Sequence, residues 1–175
     1  RFADRATTAQ TEALRATCAG AEAVCASVTR EQKKEAPPRL YDLTTLQREA
    51  NRIFGYTAKQ TLDYAQSLYE KKLLTYPRTD SRYLTHDMEA GLPELASRVC
   101  GVLPFAAGLD PAVHVESVIR DSKVTDHHAL IPTSTMPGQE AAIRALTTGE
   151  REMLVLVCAR LLCALDDPCV YEETV

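Results

Sequence analysis

Nine residues of this chain, Leu73-Leu74-Thr75-Tyr76-Pro77-Arg78-Thr79-Asp80-Ser81, combine a phenol, a constrained backbone and a guanidinium. Pro77 fixes its own φ near about −65° and disfavours the α region at Tyr76, so Tyr76 to Arg78 is expected to be extended. Residues i and i+2 of an extended segment point the same way, which would aim Tyr76 and Arg78 at one point. Thr79, Asp80 and Ser81 are short polar residues of the kind that hydrogen-bond the local backbone and hold a turn. A phenol beside a guanidinium suits phosphodiester transesterification. Tyrosine forms covalent intermediates. Its pKa of about 10 makes it a weak nucleophile at neutral pH, but phenolate is also a tolerable leaving group, so the step can reverse without ATP. Arginine grips phosphate oxygens bidentately and stays charged. At a transferring phosphoryl group it can be worth about 10³–10⁵ in rate. On spacing alone, a surface turn carrying an ordinary core tyrosine fits the same residues.

A second stretch, Thr125-Asp126-His127-His128-Ala129-Leu130-Ile131-Pro132-Thr133, places two adjacent histidines before an apolar triplet. One dyad supplies too few ligands for zinc, and sequence neighbours rarely both reach one ion. A hydrogen-bonded pair at a loop edge and a phosphate contact or proton shuttle remain as readings. The six cysteines contain no C-x-x-C pair, which excludes a zinc ribbon or a thioredoxin-type site. Cys158 and Cys163 lie in an apolar run and read as small hydrophobes. All six are expected to be reduced thiols of a cytoplasmic protein.

The elements that position these residues are mostly helical. Asp4 can cap a helix to about Cys18, stopped by Gly20, and the alternation from Ala21 to Arg30 reads as a strand. A charged run and Pro37-Pro38 then mark a boundary. Thr44-x-x-Gln47 and Thr57-x-x-Gln60 have the capping-box pattern. The first should open a helix to about Phe54, with Gly55 as its stop. The second should open one to about Lys72, with Ala58, Leu62, Ala65 and Tyr69 on the buried stripe. Helix between about His86 and Val99 is interrupted by Gly91 and Pro93. Thr147-x-x-Glu150 precedes Leu154, Val157, Cys158, Leu161 and Leu165, the strongest helical period in the chain. Cys169 to Val175 reads as a second short strand. The expected fold is mainly α, with short strands at both ends that pair or belong to an adjoining domain.

The 175 residues are 45% hydrophobic and 25% charged, which excludes disorder and low complexity. The longest nearly apolar run, Met153 to Leu165, is too short for the ~20 residues of a membrane span. No charged-then-apolar leader is recognisable, and Arg1 reads as the edge of a cut piece. The net charge of −4 hides an asymmetry: Val28 to Arg82 carries 11 Lys and Arg against 7 Asp and Glu, and Tyr83 to Val175 carries 6 against 14. An acidic total argues against a protein that coats nucleic acid non-specifically, while the basic stretch leaves room for one confined phosphate site.

Six segments then carry a resemblance: Pro37-Pro38, Leu46-Gln47-x-x-Ala50, Phe54-Gly55-Tyr56, Ala65-Gln66-x-Leu68-Tyr69-Glu70, Thr75 to Ser81, and His127-His128-Ala129-x-Ile131-Pro132-Thr133. In this order they resemble type IA DNA topoisomerases over almost the whole chain. The Tyr-Pro-Arg form and the doubled histidine are most similar to the bacterial topoisomerase III branch. The resemblance implies that Tyr76 is the nucleophile joined to a 5′-phosphate and that Arg78 holds the scissile phosphate. It makes His127 a DNA contact, His128 a lesser helper, and Thr79, Asp80 and Ser81 the support of the tyrosine turn. It implies single-stranded DNA and the remaining topoisomerase domains in cis as partners, with no membrane. It places the enzyme in the bacterial cytoplasm, on nucleoid or plasmid DNA. Gly55 is either a close-approach point for DNA or a plain helix stop. Residues 1–35 would be the edge of an arch domain, 36–167 the helical tyrosine domain, and 168–175 the return strand.

The family also carries an acidic magnesium-binding domain with an Asp-x-Asp-x-Glu element. No two aspartates here stand two positions apart. The expectation is therefore no metal or cofactor in this segment, Mg²⁺ in the full-length enzyme, and no cleavage by the segment alone. A non-catalytic single-strand-binding helical module is the alternative. It is disfavoured by 6% aromatics and no Trp, because such binders stack bases on aromatic rings. A tyrosine recombinase is disfavoured because no histidine has Arg three residues on.

Overall fold

The computed structural model describes residues 6–175. Asp4, the expected first cap, lies outside them. The chain forms two compact units, one made of residues up to Lys33 with Tyr171–Val175, the other of Lys34–Val170. In the first unit, helix α1 (Thr8–Cys18) is capped by Thr7, whose side chain accepts from the Gln10 N–H. The strand of this end is not Ala21 to Arg30 but the following charged run, β1 (Arg30–Glu35), paired with β2 (Cys169–Thr174). Thr29 and Val175 exchange both backbone hydrogen bonds, the antiparallel pattern. Both strands are solvated, so alternation of apolar residues had no buried face to specify. Cross-strand Lys33–Glu173 (2.5 Å) and Arg30–Glu172 (3.7 Å) pairs fit the register instead.

The second unit is helical and holds the core. Helix α2 (Leu43–Phe54) starts before the Thr44 pattern. Asp42 is its cap, its carboxylate accepting the Thr45 N–H at 2.6 Å. A carboxylate is the stronger acceptor and the one the positive helix end favours. Gly55 ends α2 with φ 74°, its N–H donating to the Asn51 carbonyl, so it is a helix stop. Helix α3 (Ala58–Glu70) has the expected Thr57–Gln60 box. Its buried stripe is Thr61, Ala65 and Leu68, a rotation from the apolar spacing that leaves Ala58 and Tyr69 exposed. The rotation is tolerated because the Thr61 hydroxyl donates to the Thr57 carbonyl at 3.1 Å.

A 3-10 turn (His86–Gly91) leads into α4 (Leu92–Val102). Pro93 falls in its first turn, where a missing N–H costs nothing. After several short turns and α5 (Glu140–Arg144), α6 (Thr148–Leu165) runs through the core. All five residues of its expected stripe are buried, together with Met153, Leu162 and Ala164. Burial pushes the Cys158 thiol up, whereas Cys163, also read as a small hydrophobe, is exposed.

Helix α6 packs on α3 at a point of close approach. Gly149 sits under the Tyr64 ring, where a Cβ would overlap it. Glu150, the buried N3 residue of α6, accepts from Thr147, from Ser67 at 2.5 Å, and from Lys71. The chain after α3 is then sewn to the histidine loop. Thr75 N–H donates to Ile131 O (2.9 Å), Ile131 N–H to the Thr75 hydroxyl (3.0 Å), and Thr133 N–H to Leu73 O (3.1 Å). Tyr41–Leu130 and Leu74–Pro132 form antiparallel bridges. Lys72, with φ 57°, reverses the chain out of α3 toward this seam.

Candidate active site

The tyrosine turn and the histidine loop meet at one buried residue, Thr79. Its carbonyl accepts the Leu43 N–H of α2 at 3.0 Å. Its hydroxyl donates to the His127 carbonyl at 3.0 Å and accepts the Ser81 N–H at 3.1 Å. Ser81 is buried in turn, its hydroxyl 2.9 Å from the Lys123 carbonyl and accepting the Tyr83 N–H. These bonds fix three segments distant in sequence: the first turn of α2, the Tyr76 turn, and the loop at 125–128. Thr79 and Ser81 therefore do what their residue types suggested. Asp80 does not. It is exposed and makes no hydrogen bond among the described residues, so it lines the surface and does not brace the turn.

The Tyr76 ring is held between two others. His127 packs at a centroid distance of 4.6 Å and Tyr69, from the last turn of α3, meets it edge-on at 5.4 Å. Tyr76 is half-buried, but its hydroxyl bonds to no described residue, and among the described residues no buried side-chain polar atom lacks a partner. The oxygen therefore reaches solvent. Two other tyrosines contrast with it. Burial pushes the Tyr41 phenol up to about 12 despite the attraction of Arg160, and the hydrogen bond to Glu152 holds Tyr56 at about 12. Both phenols stay protonated and engaged.

A cleft of about 400 Å³ opens beside this stack, lined by Arg78, Thr79, Asp80, Thr125, Asp126, His127 and the Asp42–Thr44 start of α2. Arg78 is exposed, buried Pro77 lies at a bend between it and Tyr76, and no hydrogen bond joins the two among the described residues. What links them is His127, which walls the cleft and carries the Tyr76 ring. His128 stays out of the cleft, its Nδ1 2.8 Å from the Ala129 carbonyl. A phosphate entering here would meet one guanidinium, an imidazole and the Thr44 N–H of α2, together with the carboxylates of Asp80, Asp126 and Asp42.

The sequence profile of the DNA topoisomerase family matches residues 3–175. The chain belongs to the type IA DNA topoisomerase family. It is 45% identical over 157 residues to DNA topoisomerase 3 of Bacillus cereus, covering 86% of this chain and 21% of that protein. It is 40% identical over 163 residues to DNA topoisomerase 3 of Bacillus subtilis, covering 89% and 22%. Full-length topoisomerase I from Thermotoga maritima superposes with a TM-score of 0.60 at 26% identity, over 85% of this chain and 24% of that one. The chain thus spans about a fifth of the length of the curated relatives it matches.

Against that family background, sequence reasoning missed Tyr69 as a wall of the tyrosine site, having assigned it to the buried helix stripe. It also missed Asp42, Thr44 and Asp126 as cleft residues. Nothing in their spacing signals this, because a loop–helix–loop contact made through Thr79 brings them together. Asp42 is committed to its capping bonds, and among the described residues no three His, Cys, Asp or Glu side chains converge to hold a metal.

Proposed function

We propose that the full-length protein containing this chain is an ATP-independent DNA topoisomerase that breaks a single strand through Tyr76. The Tyr76 oxygen attacks the phosphorus and forms a 5′-phosphotyrosine bond. The bond from phosphorus to the 3′ oxygen breaks, that oxygen takes a proton, and the phenol gives one up. A second strand passes, and the 3′ hydroxyl attacks the phosphotyrosine to restore the chain. The observation that carries this reading is the Tyr76 ring fixed between His127 and Tyr69, with His127 also lining the Arg78 cleft.

Each residue has a role in this reading. Arg78 clamps a non-bridging oxygen of the scissile phosphate and offsets the charge that grows there. His127 wall-packs the tyrosine and donates to the neighbouring strand, with His128 acting through the backbone it bonds. Thr79 and Ser81 hold the turn, and Asp80 faces the cleft. Mg²⁺ belongs to residues outside this chain, in the remaining topoisomerase domains. The segment alone is therefore inactive. The strand-bearing ends belong to an adjoining arch domain. No described helix is long and apolar enough to cross a membrane. This reading puts the enzyme on nucleoid or plasmid DNA in the bacterial cytoplasm.

The test is Tyr76→Phe in the full-length protein, a change of one oxygen. Relaxation of a supercoiled plasmid and the covalent protein–DNA adduct should both vanish. Relaxation that survives overturns the reading. Strand scission of a supercoiled plasmid by the segment with magnesium overturns the statement that it is inactive alone.

A further inference from the structure

The cleavage cleft is poorly charged for its substrate, with one arginine facing three carboxylates. The opposite balance lies one step along α2. A cleft of about 370 Å³ is lined by Tyr41, Thr45, Arg48, Glu49, Arg52, Arg82 and Arg160. Four guanidiniums stand there against one carboxylate. We infer that this arginine cleft is a second phosphate-binding site, which grips the single DNA strand next to the one cleaved at Tyr76 and anchors it there. The inference rests on the reading of Tyr76 as the cleaving residue.

The cleft is built, not incidental. Its floor is the buried Tyr41 ring, with the Arg160 guanidinium 4.3 Å above the centroid. Arg160 also donates to the Tyr41 oxygen at 3.0 Å and to Glu49. That uses the one carboxylate on structural work, shared with Arg52 at 3.2 Å. Arg82 spends its Nε on the Leu40 carbonyl at 3.2 Å. Its terminal nitrogens, and all of Arg48, meet no carboxylate among the described residues. A net charge of about +3 is thus held at a concave surface by groups that cannot deprotonate.

Continuity selects the occupant. Thr44 lines the cleavage cleft and Thr45 the arginine cleft, so both open on the first turn of one helix. Thr45, Arg48, Glu49 and Arg52 follow at i, i+3, i+4 and i+7, a single face whose rows repeat at about 5.4 Å. Arg82 lies four residues beyond Arg78 on the same segment. A strand leaving Arg78 over the start of α2 meets Arg82 and Arg48 next. Three of the eleven Lys and Arg of the Val28–Arg82 stretch line this cleft.

The test compares two charge-matched double variants of the full-length protein, each in the Tyr76→Phe background. Arg48→Gln with Arg52→Gln alters the cleft. Arg98→Gln with Arg144→Gln removes arginines that are exposed elsewhere and paired within their own helices with Glu94 and Glu140. Binding of a fluorescent single-stranded oligonucleotide is followed against salt. Two lost phosphate contacts should make the slope of log K against log salt shallower by about 1.4, at about 0.7 each. The control pair should barely move it. Equal slopes for the two pairs, or an unchanged slope in the cleft pair, overturn the inference and leave the Tyr76 reading intact, since that is judged by loss of relaxation. Arg48→Gln alone, at an exposed position, should show about half the change and serves if the double variant does not fold. A cleft that instead holds an acidic protein segment would give the unchanged slope.

Discussion

The imidazole of His127 forms one wall of the Tyr76 ring, 4.6 Å between centroids, while the His127 carbonyl is bonded to the Thr79 hydroxyl on the far side of the turn. The same residue thus fixes the ring and the backbone that carries it. His127→Ala removes the wall and leaves the backbone bond. In the full-length protein it should lower single-turnover cleavage of an oligonucleotide about 10²-fold, the cost of a small misplacement of a reacting atom. His127→Phe keeps the wall without the nitrogens and should fall between wild type and Ala. An unchanged rate in His127→Ala would show that the ring needs no such support.

Arg78 is the one guanidinium of the cleft that Thr79 and His127 line. Arg78→Ala should slow cleavage by about 10³-fold or more, as expected for an arginine that stabilises phosphoryl transfer. Oligonucleotide affinity should fall far less, with a salt slope changed by only about 0.7 for one lost phosphate contact. Losses of similar size in rate and affinity would make Arg78 a passive grip.

Two of the three expected capping boxes and the α6 period were legible in the sequence because their partners lie within four residues or along one helix face. The Thr57 and Thr147 boxes form as written, and the core stripe of α6 is complete. The Thr44 box failed because a better acceptor, Asp42, stood two residues earlier, and local patterns do not rank competing caps. The strand at Ala21–Arg30 failed because its alternation borders no core. The extended run expected at Tyr76–Arg78 is a bend at Pro77, with Arg78 in a cleft that Tyr76 does not line, and the surroundings of the tyrosine were no more legible. Tyr69, Asp42 and Asp126 reach the site only through the Thr79 junction and the seam between residues 73–75 and 131–133. Such contacts are set by tertiary packing and leave no periodic trace.

Glu150 links the α6 cap to α3. Burial alone would raise its pKa, but hydrogen bonds from Lys71, Ser67 and Thr147 outweigh that and hold it at about 2, below the ordinary 4.5. A depressed folded-state pKa stabilises the fold above the unfolded value and loses that contribution as pH falls through the folded one. Thermal stability should therefore decline from about pH 4.5 toward pH 2. Glu150→Gln should cost about 1–2 kcal/mol at pH 7, discounted for the half-exposed Lys71 partner. It should also flatten that acid-side decline. Melting curves from pH 2.5 to 7 on both proteins check this, and parallel declines would remove Glu150 as the cause.

Gly149 is the residue that lets α6 start against the Tyr64 ring. It is helical, so replacement by Ala would be favoured by propensity by about 1 kcal/mol if space allowed. The ring is in the way, and it is itself packed edge-on against Tyr56 at 5.2 Å, which limits its retreat. Overpacking of this kind costs about 1–3 kcal/mol. Gly149→Ala should therefore lower the melting temperature by several degrees, at about 2–4 °C per kcal/mol for a chain of this size. Adding Tyr64→Leu, which removes the ring atoms the new methyl meets, should return part of the loss. Tyr64→Leu with Gly149 intact should only destabilise. The double-mutant cycle decides the matter: a favourable coupling of about 1 kcal/mol or more places the clash at this contact. Strict additivity would mean that the helix start accommodates a side chain without touching the ring.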